Sequence, residues 1–88
     1  MSFMEDQSKK DYLLSFGEGL RDLRTKSGYS QEELAERAGI DRSYLGGIER
    51  GEHNLALINI IKIAKALSLP PHRLLETLSI TLGDQNGC

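Results

Sequence analysis

Apolar residues recur at three- and four-residue steps through most of this chain, and each such run is bounded by residues able to start or stop a helix. From about Asp11, the positions Leu13, Phe16, Leu20 and Leu23 share one face while Glu18, Arg21, Asp22 and Lys26 lie elsewhere, which predicts a first helix closed by Gly28. Ser30 with Glu33 three residues on forms a capping box, so a second helix should run from Gln31 to about Ala38, burying Leu34, Ala35 and Ala38. Gly39 supplies the left-handed stop, and Ile40 is a lone apolar residue in the turn, placed to plug the gap between two helices. Asp41 can cap a third helix, whose apolar edge is Leu45 and Ile48 and which Gly51 ends. The run from about Leu57 to Leu67 is apolar on more than one side and predicts a fourth helix buried all round, with no Ser or Thr to cap it near Leu55 and Ala56. Pro71 can open a fifth, through Leu78, showing Leu74, Leu75 and Leu78.

These patterns give an all-α fold with one domain over residues 11–78, an N-terminal tail at 1–10 carrying only Met1, Phe3 and Met4 as apolar residues, and a C-terminal tail at 79–88 in which Ile80 and Leu82 alternate. The chain has 88 residues, 39% of them apolar, enough for one small helical core but not for a separate ligand-binding module, so no small-molecule ligand is expected. No apolar run approaches the roughly 20 residues of a membrane span and no signal peptide is evident, which predicts a cytoplasmic protein with no membrane partner. One cysteine, Cys88, and two distant histidines make neither a disulfide nor a metal site. With no phosphate-binding glycine loop and no catalytic arrangement of Ser, His and Asp, neither an enzyme nor a cofactor is expected.

The third helix needs a further explanation, because Gly46 and Gly47 occupy its interior at a cost of about 1 kcal/mol each relative to alanine. A polar outer face stripped of bulk at its middle and begun by Arg42 and Ser43 can lie flat on another surface. The major groove of DNA admits one helix and offers acceptors that arginine reads bidentately. Against this, the formal net charge is −2, without the basic balance usual for a nucleic-acid binder. Arg21, Lys26, Arg42 and Arg50 can still share one face, which implies few phosphate contacts per subunit and an affinity that depends on dimerisation.

Gln31, Ala35, Gly39, Ile40, Leu45 and Ile48 stand at the spacing of the helix-turn-helix of the phage-repressor and Cro-like family, also called the XRE family. The run from Asp41 to Gly51 resembles the recognition helix of the controller proteins of restriction–modification systems, and the resemblance covers roughly residues 12 to 78. It implies a five-helix repressor-like domain with the helix-turn-helix at the second and third helices. Such a protein binds double-stranded DNA as a homodimer on a pseudo-palindromic operator and regulates transcription, in the controller proteins at its own promoter and that of an endonuclease. An antitoxin or phage-type repressor is the rival within this chemistry. A protein-interaction module on the same fold is the rival outside it.

On this reading Arg42 reads a base, and Ser43 touches a base or phosphate unless it serves only as a helper cap. Tyr44 either packs on the motif or presents its ring to a thymine methyl, while Gly46 and Gly47 act by absence, Gly47 among the base-reading set. Ser30 and Gln31 head a helix whose free N–H groups suit a phosphate, and Arg50 and Asn54 anchor the DNA backbone at the far end. The resemblance also pairs Arg24 with Glu49 as a structural ion pair; without it they read as two independent surface charges. It places dimerisation at the fifth helix, through Leu74, Leu75 and Leu78, although the same leucines would serve equally to finish the monomer core.

Overall fold

The computed structural model describes residues 6–78, folded as five helices with no strand among them: α1 (Asp6–Lys26), α2 (Gln31–Ala38), α3 (Arg42–Glu49), α4 (Leu57–Ala66) and α5 (Pro71–Leu75). The expectations for Phe3, Met4, Ile80, Leu82 and Cys88 lie outside the described residues. α1 packs against α3 and α5, α2 against α3 and α4, and α4 against α5. Leu20, Leu34, Leu45, Ile48, Ile63 and Leu74 are fully enclosed where these helices meet. They come from all five elements, so none of the short helices has to be stable alone.

α2 begins as its sequence dictates. The Glu33 N–H donates to Ser30 Oγ at 3.0 Å, and the Ser30 N–H donates to Glu33 Oε1 at 2.8 Å. It stops at Gly39, whose φ of 72° lies in the left-handed region that excludes most side chains. The Ile40 N–H then bonds Ala35 O at 3.0 Å and Ile40 packs, half-buried, on the core. α3 starts differently. Asp41 has the extended backbone of an N-cap, but its side chain, which is exposed, makes no cap bond. α4, as its sequence implies, has no side-chain cap either.

α1 and α3 cross with their backbones almost touching. A β-carbon at Gly17 would strike the carbonyl oxygen of Ile48 and stand 2.6 Å from that of Glu49, so glycine sets the separation of α3 from the long first helix.

Three expectations need correction. α1 starts at Asp6, five residues before Asp11, where the helical pattern is expected to begin, so the boundary drawn at residue 10 falls inside a helix; its first turns are free of glycine and proline and need no apolar anchor once the later turns are packed. α4 is not buried all round: Ile63, Ala64 and Ala66 face the core, while Leu57 and Ile58 are 69% and 58% exposed. α5 ends at Leu75, short of Leu78. The Thr77 hydroxyl donates to Leu74 O at 2.7 Å, and the Thr77 and Leu78 N–H groups bond the carbonyls three residues back, at Leu74 and Leu75, which tightens the chain out of the helix.

Candidate nucleic-acid interface

Two helix beginnings converge on one face. Ser30 and Gln31 from the start of α2 and Arg42 from the start of α3 line an open cleft of about 460 Å³ together with Arg24 and Glu32. Arg42 and Ser43 are exposed, and no ion pair among the described residues engages the Arg42 guanidinium. The Ser30 hydroxyl accepts the cap bond and keeps its own proton to donate. A helix N-terminus, two polar side chains and an arginine thus open on the same space, an arrangement suited to an anion beside a hydrogen-bonding edge.

Beneath the cleft lies a buried ion pair. Arg24 Nε donates to Glu49 Oε2 at 2.6 Å and Arg24 Nη2 to Glu49 Oε1 at 3.0 Å, while Arg24 Nη1 donates to Tyr29 O at 2.8 Å. Both residues are below one tenth exposed, so the guanidinium is held by the protein and not offered to solvent. Sequence reasoning missed the third member: Gln31 Nε2 donates to Glu49 Oε1 at 2.9 Å. The side-chain amide of Gln31, a residue expected at a phosphate, is therefore half-committed, and one of its two N–H groups ties α2 to α3. A separation of 18 residues carries no local signal for such a bond.

Tyr44 is half-buried. Its ring lies against His53 with centroids 4.9 Å apart and tilted by 43°, and its hydroxyl accepts from Asn59 Nδ2 at 3.1 Å. These are the contacts of a side chain packed on the motif. The imidazole also corrects the reading of Gly47. That glycine is buried, and a β-carbon on it would lie 2.6 Å from His53 Cδ2 and Nε2, so its bareness admits the chain's own loop and leaves no open surface for a base. Gly46 is covered too, since its β-carbon position is 3.2 Å from Arg50 Nη1 and 3.5 Å from Gln31 Oε1.

The far end is arranged less simply. Arg50 is exposed, but Glu52 engages it, with Arg50 Nε to Glu52 Oε2 at 2.9 Å and Nη2 to Oε1 at 3.2 Å. Asn54 is exposed on a different cleft, beside Lys9, Tyr12, Leu13 and Glu52, and shares no lining residue with the Arg42 cleft. Of the leucines assigned to a dimer contact, Leu74 is completely enclosed within the monomer and belongs to the core, which corrects its assignment. Leu78 packs half-buried on that core, and Leu75 is 47% exposed. Among the described residues no cluster of His, Cys, Asp or Glu could hold a metal ion, and no helix is long and apolar enough to cross a membrane.

The helix-turn-helix family profile matches residues 20–74. The control protein C.BamHI of Bacillus amyloliquefaciens is 46% identical over 68 residues, covering 76% of this chain and 84% of that protein. The crystal structure of the restriction–modification controller protein C.AhdI from Aeromonas hydrophila superimposes with a TM-score of 0.70 at 55% identity, over 70% of this chain and 94% of that one. SinR, a master regulator for biofilm formation whose structure was solved in complex with DNA, matches with a TM-score of 0.65 at 38% identity, over 68% of this chain and 97% of that one.

Proposed function

This chain belongs to the helix-turn-helix family of DNA-binding transcription regulators, and from that premise we propose that it is a controller protein of a restriction–modification system, acting as a homodimer on a pseudo-palindromic operator. The observation that carries the reading is the exposed Arg42 at the start of α3, opening on the same cleft as Ser30 and Gln31. In this reading α3 enters the major groove, Arg42 reads guanine through O6 and N7, and Ser43 contacts a base or phosphate beside it. The α2 N-terminus, with Ser30, holds one phosphate, and Arg50 and Asn54 hold the backbone further along.

Exposed apolar side chains on the monomer support the dimeric reading. Leu57 and Ile58 at the start of α4, with Leu75 on α5, are large exposed hydrophobic residues, and a second copy would cover them. Two copies related by a two-fold axis would set their recognition helices about 34 Å apart, one turn of the duplex.

The test is enrichment from random-sequence duplexes, with the wild type and Arg42→Ala run in parallel at one salt concentration. The wild type should enrich a symmetric motif with a guanine in each half-site. The variant should lose that preference and bind the enriched duplex about 10- to 100-fold less tightly. No enrichment by the wild type would refute the proposal.

A further inference from the structure

The turn after α3 brings a carboxylate back onto the guanidinium of Arg50. Gly51, with φ of 78°, reverses the chain; its N–H bonds Ile48 O at 3.0 Å, and the Glu52 N–H bonds Gly47 O at 2.9 Å. A β-carbon at Gly51 would come within 2.8 Å of Leu14 Cδ2, so the turn is pressed against α1 and its course is set by packing. On that fixed turn Glu52 comes back over Arg50 and binds the Nε–Nη2 edge of the guanidinium with both oxygens, at 2.9 and 3.2 Å. Arg50 Nη1 rests over bare Gly46, at 3.2 Å from the position of a β-carbon there. The guanidinium therefore lies along the last turn of α3 with the edge that matches a carboxylate or a phosphate already filled.

We propose that Glu52 is an internal stand-in for phosphate, which DNA must displace from Arg50 and which thereby weakens the protein's grip on duplexes of any sequence. The proposal rests on the reading that Arg50 faces the DNA backbone. Both side chains are more than half exposed, so the pair is open to exchange with an incoming anion. The hydrogen bond from Arg50, with the Arg50 and His53 charges adding to it, holds the Glu52 carboxyl below the usual carboxylate range, so it stays ionised throughout the neutral range. What Glu52 removes is sequence-independent attraction, because a phosphate contact carries no base information. It leaves the Arg42 contact untouched. A larger share of the total affinity for an operator then comes from the bases, in keeping with a chain whose net charge is −2.

The experiment is a double-mutant cycle on the full chain: wild type, Glu52→Gln, Arg50→Ala and the double variant. Each is titrated by fluorescence anisotropy against a random-sequence duplex and against the duplex enriched by the wild type, over a series of salt concentrations. Glu52→Gln should tighten binding to both duplexes by about fivefold near 0.1 M salt and steepen the salt dependence by about one ion per subunit. In the Arg50→Ala background the same change should alter affinity less than about twofold. Weaker binding by Glu52→Gln would overturn the proposal, since Glu52 would then be holding Arg50 in place for the phosphate. An equal gain in both backgrounds would also overturn it, because Glu52 would then repel DNA without acting through Arg50. Failure of all four proteins to bind any duplex at low salt would sink the DNA-binding reading itself, a result distinct from either of these.

Discussion

At the scale of single residues, the pair Gly46-Gly47 shows how one local anomaly admits two explanations. Glycine in the middle of a helix sacrifices about 1 kcal/mol relative to alanine, and the sequence suggested that the cost made room for DNA. In the fold the space above Gly47 is taken by His53, which also lies against Tyr44. Gly47→Ala should accordingly lose about 1–2 kcal/mol of stability despite its better helix propensity, because the new methyl group must push the imidazole aside. Placing the same change in a His53→Ala background should turn the loss into a gain of roughly 0.5–1 kcal/mol, read from urea denaturation midpoints with an unchanged slope. A loss of the same size in both backgrounds would mean that His53 is not what Gly47 accommodates.

At the scale of helices, legibility followed the range of the interaction. α2 could be read to the residue because Ser30, Glu33 and Gly39 act within one turn of their own backbone. The start of α1 could not, since its first turns contain no apolar repeat and are carried by packing further along. Leu74 and Leu75 are adjacent and chemically identical, yet one is enclosed and the other 47% exposed; only the placement of α5 on α1 and α4 separates them. In the same way, the hydrophobic run of α4 announced a helix with two apolar sides but not which side the monomer itself would cover. The uncovered side carries a prediction. Ile58 is 58% exposed on α4, and Ile58→Glu should leave the thermal midpoint of the monomer nearly unchanged while raising the dimer dissociation constant at least about 100-fold, as measured by sedimentation equilibrium. A variant that still sediments as a dimer would move the interface elsewhere.

For the molecule as a whole, the tie that matters most is Arg24 with Glu49. It joins the end of α1 to the end of α3, Gln31 adds α2 to it, and Tyr29 O takes the remaining edge of the guanidinium. Removing one side of a buried ion pair leaves the other charge enclosed without a partner, which typically costs about 3–5 kcal/mol. A domain of this size has little more than that in total. Arg24→Ala should therefore melt tens of degrees lower or fail to show a cooperative transition by circular dichroism, and Arg24→Lys should recover only part of the loss, because an ammonium cannot satisfy Glu49 and Tyr29 O with a planar fork. The pair fixes the angle at which α3 stands to the rest of the domain, so stability and presentation of Arg42 are set by the same three side chains.

Two neighbouring helices, each of eight residues, begin in opposite ways: α2 with both cap bonds made, and α3 with none from Asp41. The difference is a built-in clock. Amide protons in the first turn of α3, at Ser43 and Tyr44, should trade with deuterated water far faster than the Glu33 amide, which Ser30 shields. When operator DNA is added, the slow protons of α2 should change little and the fast ones of α3 should slow, so the arrival of a duplex can be timed at individual positions without altering a single residue.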